Sequence, residues 1–208
     1  VSILKRPLVM VHGLWNTPDL FHALVLQLNQ DPSFLFAPHL PHDLGRVSIR
    51  QLAIELDKKI NSQFGSDLVI DILGFSMGGL ISRVWLQELR GFERTSRFFS
   101  VGTPHNGTLT AQFVPTSFFP GIAEMKLMSQ FIKSLNDNSR NLKCINCRSY
   151  YCFWDLMVIP GLSGVLPVGP SISIPVFNHK ALIKHPKAIR ILINDLFVGT
   201  PCKPTMPN

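Results

Sequence analysis

One serine, one aspartate and one histidine carry the chemistry this sequence offers. Ser76 stands in Gly74-Phe75-Ser76-Met77-Gly78. An apolar, β-branched run from Leu68 to Leu73 precedes it, and a helical pattern of Leu80, Ile81, Val84 and Trp85 follows. Strand, sharp turn and helix in that order hold a hydroxyl out of a sheet at a helix N-terminus, where N–H groups and the helix dipole favour negative charge. The flanking glycines give the turn room, because they lack Cβ atoms. An exposed hydroxyl beside a place that welcomes an oxyanion suits acyl transfer. G-x-S-x-G alone is a weak pattern, and the strand before it and helix after it give it weight.

A serine hydroxyl is a poor nucleophile at neutral pH without a base in reach and a carboxylate to orient that base. For a serine on such a turn the chain order is serine, acid, histidine. The histidines after Ser76 are His105, His179 and His185. His179 lies in Phe177-Asn178-His179-Lys180, a loop before the last helix that suits a mobile base. His185 directly precedes Pro186 and reads as the start of that helix, and His105 sits in a Gly/Asn turn. His179 is therefore the expected base. Asp155 follows an expected strand, Cys144 to Phe153, whereas Asp137 sits in the polar turn Asn136-Asp137-Asn138-Ser139. Asp155 is the expected orienter, with an ordinary strand-end cap as the alternative. The oxyanion needs two backbone N–H groups. Met77, next to the nucleophile, supplies one, and Leu14 in the loop His12-Gly13-Leu14 the other. The His12 ring is expected to support that loop.

The elements that must position these groups alternate between strand and helix. Leu8 to Val11 reads as a strand. Thr17-Pro18 opens a helix with Leu20, Leu24 and Leu28 inside, ending near Asn29. Phe34 to Leu40 reads as the next strand. Ser48-Ile49-Arg50-Gln51 is a capping box, and its helix buries Ile49, Leu52, Ala53, Leu56 and Ile60. Gly91 is the expected C-cap of the helix after Ser76. A strand from Phe98 to Val101 runs into Gly102-Thr103-Pro104-His105-Asn106-Gly107. Pro186 opens a final helix that buries Ile189, Leu192, Ile193, Leu196 and Phe197. Such alternation implies an α/β fold, a mostly parallel sheet with helices on both faces. Ligands then sit beyond the C-terminal ends of the strands, where every motif above falls.

The 208 residues suffice for a single domain, 1–208. Residues 109–140 hold no obvious strand and mix Phe113, Phe118 and Phe119 with prolines. They read as a lid or substrate-pocket insertion that opens on lipid, or as a loop packed into the core. The uncharged stretch Leu156–Phe177 has the length of a membrane span, but its four prolines and three glycines break any continuous helix. The formal net charge is +7, without a dense Lys/Arg run or aromatic–basic alternation, so no nucleic-acid partner is expected. The charge fits a solvated basic surface or attraction to an anionic lipid surface. Cys144 and Cys147 form one C-x-x-C, which Cys152 and Cys202 complete irregularly for zinc. Buried thiols are expected, a disulfide is the alternative, and no metal is. Thr200 to Asn208, with three prolines, reads as a tail. No signal peptide or transmembrane helix is read, so a cytoplasmic or peripheral membrane location is the default.

VMVHGLW at 9–15, GFSMGGL at 74–80, VGTPHNGT at 101–108, WDLMVIP at 154–160 and NHKALIKHP at 178–186 together resemble the α/β-hydrolase superfamily, specifically small bacterial-type triacylglycerol lipases and esterases. The resemblance spans residues 8–198. It implies the α/β-hydrolase fold, Ser76 as nucleophile, Asp155 as orienter, His179 as base, and Leu14 and Met77 as oxyanion donors. It also implies a structural loop at 103–107, an acyl-enzyme route to ester hydrolysis, and no cofactor. Phe75 and Trp15 depart from the residues usual there, and with Phe113, Phe118 and Phe119 they are the expected substrate-binding side chains. The same triad serves an acyltransferase, and a peptidase or thioesterase on chemistry alone. A hydrolase-fold protein that only binds an apolar ligand is the remaining alternative.

Overall fold

In the computed structural model the described residues are 3–198. The proline-bearing tail and Cys202 lie outside them. Six strands form one parallel sheet: β1 (Leu8–Val11), β2 (Leu35–Phe36), β3 (Ile70–Phe75), β4 (Thr95–Val101), β5 (Asn146–Tyr151) and β6 (Ser171–Ser173). Their order is β2-β1-β3-β4-β5-β6. The helices are α1 (His22–Leu28), α2 (Ile49–Phe64), α3 (Met77–Glu88), α4 (Pro120–Ala123), α5 (Gln130–Asp137), α6 (Ala181–Lys184) and α7 (Pro186–Phe197).

Side-chain alternation along the strands divides the core into two layers. Val9, Val11, Ile70, Ile72 and Phe98 pack with α2, α3 and α5. Leu8, Met10, Leu73, Phe75, Phe99 and Val101 pack with α1, α6 and α7 on the other face. Both faces are covered, which explains why β1, β3 and β4 are buried along their whole length.

Local signals in the sequence account for several element ends. Ser48 and Gln51 form the expected capping box at the start of α2. His185 accepts a hydrogen bond from the Lys187 N–H and starts α7 with Pro186. Asn29, in the left-handed region at φ 46°, ends α1.

Other expectations need correction. The second strand is only Leu35–Phe36, because the chain leaves the sheet before Leu40. Thr17 and Pro18 do stand at the N-cap and first position, but of a 3-10 turn at Pro18–Phe21 that precedes α1, and the Thr17 hydroxyl donates to Asp19 instead of capping. Gly91 is not a C-cap: the left-handed residue is Arg90, and a Cβ on Gly91 would stand 2.5 Å from the Trp85 ring. Close approach to an indole, not helix termination, is what requires glycine there. The fifth strand starts at Asn146, and Cys144 belongs to the 3-10 turn before it. Asp137 ends α5 rather than sitting in a turn.

The apolar stretch 156–177 contains a strand, β6, paired in parallel with β5. Among the described residues no helix is long and apolar enough to cross a membrane. Cys147 and Cys152 are buried free thiols and Cys144 is a half-buried one. Burial pushes the Cys147 thiol up to about 12. No group of three or more His, Cys, Asp or Glu among the described residues is arranged to hold a metal ion.

Candidate active site

The C-terminal ends of β1, β3, β4 and β5 meet at one cavity of about 400 Å³. Ser76 sits at the tip of β3 with φ 56° and ψ −128°, outside the regions open to most side chains. Such a conformation costs roughly 1–3 kcal/mol and persists only where the surroundings enforce it. Here they do. The Ser76 N–H donates to the Val101 carbonyl, and α3 starts at Met77. A Cβ on Gly13 would stand 2.7 Å from Ser76 Cβ. The loop after β1 therefore lies directly against the serine, and Leu14 lines the cavity beside it. Met77 is the first residue of α3, where N–H groups have no partner inside the helix.

His179 and Asp155 come from the loops after β6 and β5. His179 Nδ1 and Asp155 Oδ2 are 2.7 Å apart, and both side chains are almost fully buried. The second carboxylate oxygen accepts from the Met157 N–H at 2.8 Å and the Val158 N–H at 3.1 Å. Asp155 is therefore fixed by its own loop before it meets the histidine. Nδ1 donates to the carboxylate, so in the neutral ring Nε2 is the free acceptor. Nε2 is buried and has no hydrogen-bond partner among the described residues. Ser76 and His179 line the same cavity, but no hydrogen bond joins Ser76 Oγ to Nε2 in this conformation. Such contacts commonly tighten only with substrate in place.

Phe75 is not a cavity wall, contrary to expectation. As the last residue of β3 it points to the face that carries α6 and α7, fully buried, and its ring lies 4.8 Å from the His179 ring. It supports the histidine from behind. Gly102, which the sequence did not single out, does the same from another side. At φ +58° a Cβ there would stand 3.0 Å from His179 Cε1 and 2.9 Å from Leu182.

Trp15 does line the cavity, at its mouth, and is 57% exposed. Phe113, Phe118 and Phe119 do not line it. Phe113 is 93% and Phe118 69% exposed, and Phe119 packs against the core beneath the Arg46 guanidinium. The apolar wall consists instead of Ala111, Val114, Ile122, Met125, Met157 and Val158. A weak signal existed for part of it: Ala111, Val114, Ile122 and Met125 lie in the 109–140 segment, in which the aromatic residues attracted notice.

His12 and His105 are buried and engaged away from the cavity. His12 Nε2 accepts from the Leu40 N–H at 3.0 Å, and burial lowers its pKa. His105 is fully buried, with Nε2 2.6 Å from Ser100 Oγ and Nδ1 3.4 Å from the Arg83 guanidinium. Burial, reinforced by Arg83, holds its pKa well below the ordinary value.

No protein-family model and no curated protein matches the sequence. Solved structures do match. The mature form of the Bacillus licheniformis lipase BlEst2 superposes with a TM-score of 0.72 at 17% identity, over 94% of this chain and 93% of that one. Aspergillus fumigatus lipase B gives 0.73 at 16% identity over 95% of this chain, which spans 54% of the length of that lipase. MGS-MChE2, an α/β hydrolase enzyme from lagoon-sediment metagenome, gives 0.63 at 16% identity, over 94% and 92% of the two chains. This chain has the α/β-hydrolase fold. Within that fold Ser76 stands in the sharp turn between β3 and α3, and the loops after β5 and β6 carry Asp155 and His179. Identities this low speak for the fold, so the chemistry must be argued from the cavity itself.

Proposed function

We propose that this protein is a serine carboxylic ester hydrolase, a lipase or esterase that acts on lipid acyl esters. The observation that carries the reading is the His179 ring. Its Nδ1 is held by a buried carboxylate, while its Nε2 is unpartnered in the cavity that Ser76 enters from a strained turn. A buried imidazole nitrogen without a partner is costly unless a ligand or a reaction uses it.

In this reading Nε2 takes the Ser76 proton as Oγ attacks the ester carbonyl carbon. The carbonyl π electrons move onto oxygen, and the Leu14 and Met77 N–H groups stabilise the resulting oxyanion. The tetrahedral intermediate collapses, the bond to the alcohol oxygen breaks, and the alcohol leaves with the proton from Nε2. Water then repeats the sequence on the acyl-enzyme, releasing the acid and restoring Ser76. Asp155 stabilises the imidazolium formed in each half.

The wall of Ala111, Val114, Ile122 and Met125 supports an acyl chain as the group held there. Exposed Trp15 and Met157 at the mouth, with Phe153, Trp154 and Leu156 adjoining, support transient contact with a lipid surface. The solved lipases of the same fold support the reaction class.

The test is hydrolysis of p-nitrophenyl esters from acetate to palmitate by wild type and Ser76→Ala, with and without lipid vesicles. Serine-dependent turnover is expected, with Ser76→Ala lowering kcat by about 10⁴-fold or more. Undiminished turnover in the variant, or none in folded wild type, would remove the proposal.

A further inference from the structure

The loop that carries Asp155 is held from outside by residues 108–110, with the buried Thr108 hydroxyl at the centre. Thr108 Oγ1 donates to the Met157 carbonyl at 3.0 Å and accepts from the Ile159 N–H at 2.9 Å. Leu109 N–H donates to the Ile159 carbonyl at 2.9 Å, and Thr110 Oγ1 donates to the Met157 carbonyl at 2.7 Å. Thr108 is itself fixed, because its N–H donates to the Met125 carbonyl at 2.8 Å and its side chain is buried. Met157 is also the residue whose N–H donates to Asp155 Oδ1. The peptide group between Met157 and Val158 thus has its N–H on the carboxylate and its carbonyl clamped by threonine.

We infer that Thr108 is a positioning residue: it acts through the 157–159 backbone to set where the Asp155 carboxylate stands, and hence which way His179 Nε2 points. The inference rests on the triad proposed above. The physical reason is angular. Oδ1 of Asp155 is aimed by two N–H groups of a loop that has no regular secondary structure of its own. A loop without a ladder keeps its shape only if its polar groups are anchored elsewhere. Thr108 Oγ1 anchors an acceptor and a donor two residues apart, which fixes the rotation of the intervening chain as well as its distance. Thr108 also begins the segment that supplies the apolar wall, so wall and acid are joined at one hydroxyl.

The experiment is a double-mutant cycle between Thr108 and Asp155, read as kcat and KM on a soluble short-chain ester, with thermal unfolding of every protein. Thr108→Val is expected to lower kcat about 10- to 100-fold with KM little changed, and Thr108→Ser, which keeps the hydroxyl, to restore it. In an Asp155→Asn background the same Thr108→Val change is expected to cost little more, because the carboxylate it positions is gone. An undiminished cost in that background would overturn the inference, as would wild-type kcat in Thr108→Val. Wild-type activity in Asp155→Asn alone would instead overturn the triad. If Thr108→Val does not fold, Thr108→Ala, which sets no methyl against the Met157 carbonyl, gives the same cycle with the same criteria.

Discussion

Residues 112–118, with Phe113 and Phe118, and 120–138, with Met125, Met128 and Phe131, read in the sequence as parts of one lid or packed loop, yet they are held quite differently. In the first stretch Phe113 and Phe118 face solvent. In the second, Phe131, Ile132 and Leu135 are buried, and polar side chains of α3 hold the backbone. Arg83 donates to the Leu135 carbonyl and to Asn136 Oδ1, both at 2.9 Å, and Gln87 donates to the Leu135 and Asn138 carbonyls. Those carbonyls are the ones a helix C-terminus leaves without partners. Glu124 accepts from the Ile49 N–H at the start of α2, the complementary end. Apolar content does not separate the exposed stretch from the buried one here. The anchoring of backbone polar groups does.

Removing the anchor is the strongest way to break this contrast. Arg83→Met leaves the Leu135 carbonyl, Asn136 and Gln87 short of a buried donor. A loss of about 3 kcal/mol is expected in urea unfolding. An unchanged midpoint would mean that α5 is held by its apolar face alone.

Acid attacks the same region through His105. Its pKa is held low in the folded protein by burial and then by Arg83. Below the unfolded value of about 6.5 the unfolded chain therefore binds more protons, and stability present above that pH is lost as pH falls toward the folded pKa. The melting temperature should fall from pH 7 to pH 5, with this one group contributing up to about 1.4 kcal/mol per pH unit. His12 and His42, also lowered first of all by burial, act in the same direction. A flat profile over that range would contradict the buried, neutral His105.

The smallest effect is expected at the rim. Phe113→Ser and Phe118→Ser should change unfolding stability by no more than about 0.5 kcal/mol and leave the pH profile of melting as in wild type. Turnover of a soluble ester should also hold, while turnover of esters in vesicles falls. A large loss of stability in either variant would place these side chains in the core and erase the contrast.

How much of this was legible depended on whether a local rule governed the position. The turn at Ser76 was legible because strand, glycines and helix are contiguous. The Ser48–Gln51 box was legible because its partners are three residues apart. Asp155 and His179 could be chosen by chain order, although only the fold sets them 2.7 Å apart. Strand β6 was hidden because its three residues lie at the edge of the sheet among prolines, without an apolar signal of their own. Phe75 was misassigned although period-two alternation from Leu73 would have sent it to the opposite face. Gly102 and Thr108 stand in the recognisable stretch 101–108, but that stretch did not carry their roles. Each is defined by a neighbour about 50 or more residues away, which no window along the chain contains.

The bridge between Thr108 and Lys126 gives the rim a further property. It brings the two ends of the intervening segment side by side, so that the segment leaves and rejoins the body of the protein at one point. A piece of chain closed in this way can be exchanged as a cassette without disturbing the sheet. The natural junctions lie after Thr110 and before Met125, because the threonines clamp Met157 and the Met125 carbonyl receives the Thr108 N–H. Within those junctions lie Ala111, Val114 and Ile122 of the apolar wall, and neither the serine nor its proposed partners. That part of the wall is thereby set apart along the chain from Ser76, Asp155 and His179, with the boundary drawn at a pair of hydroxyls.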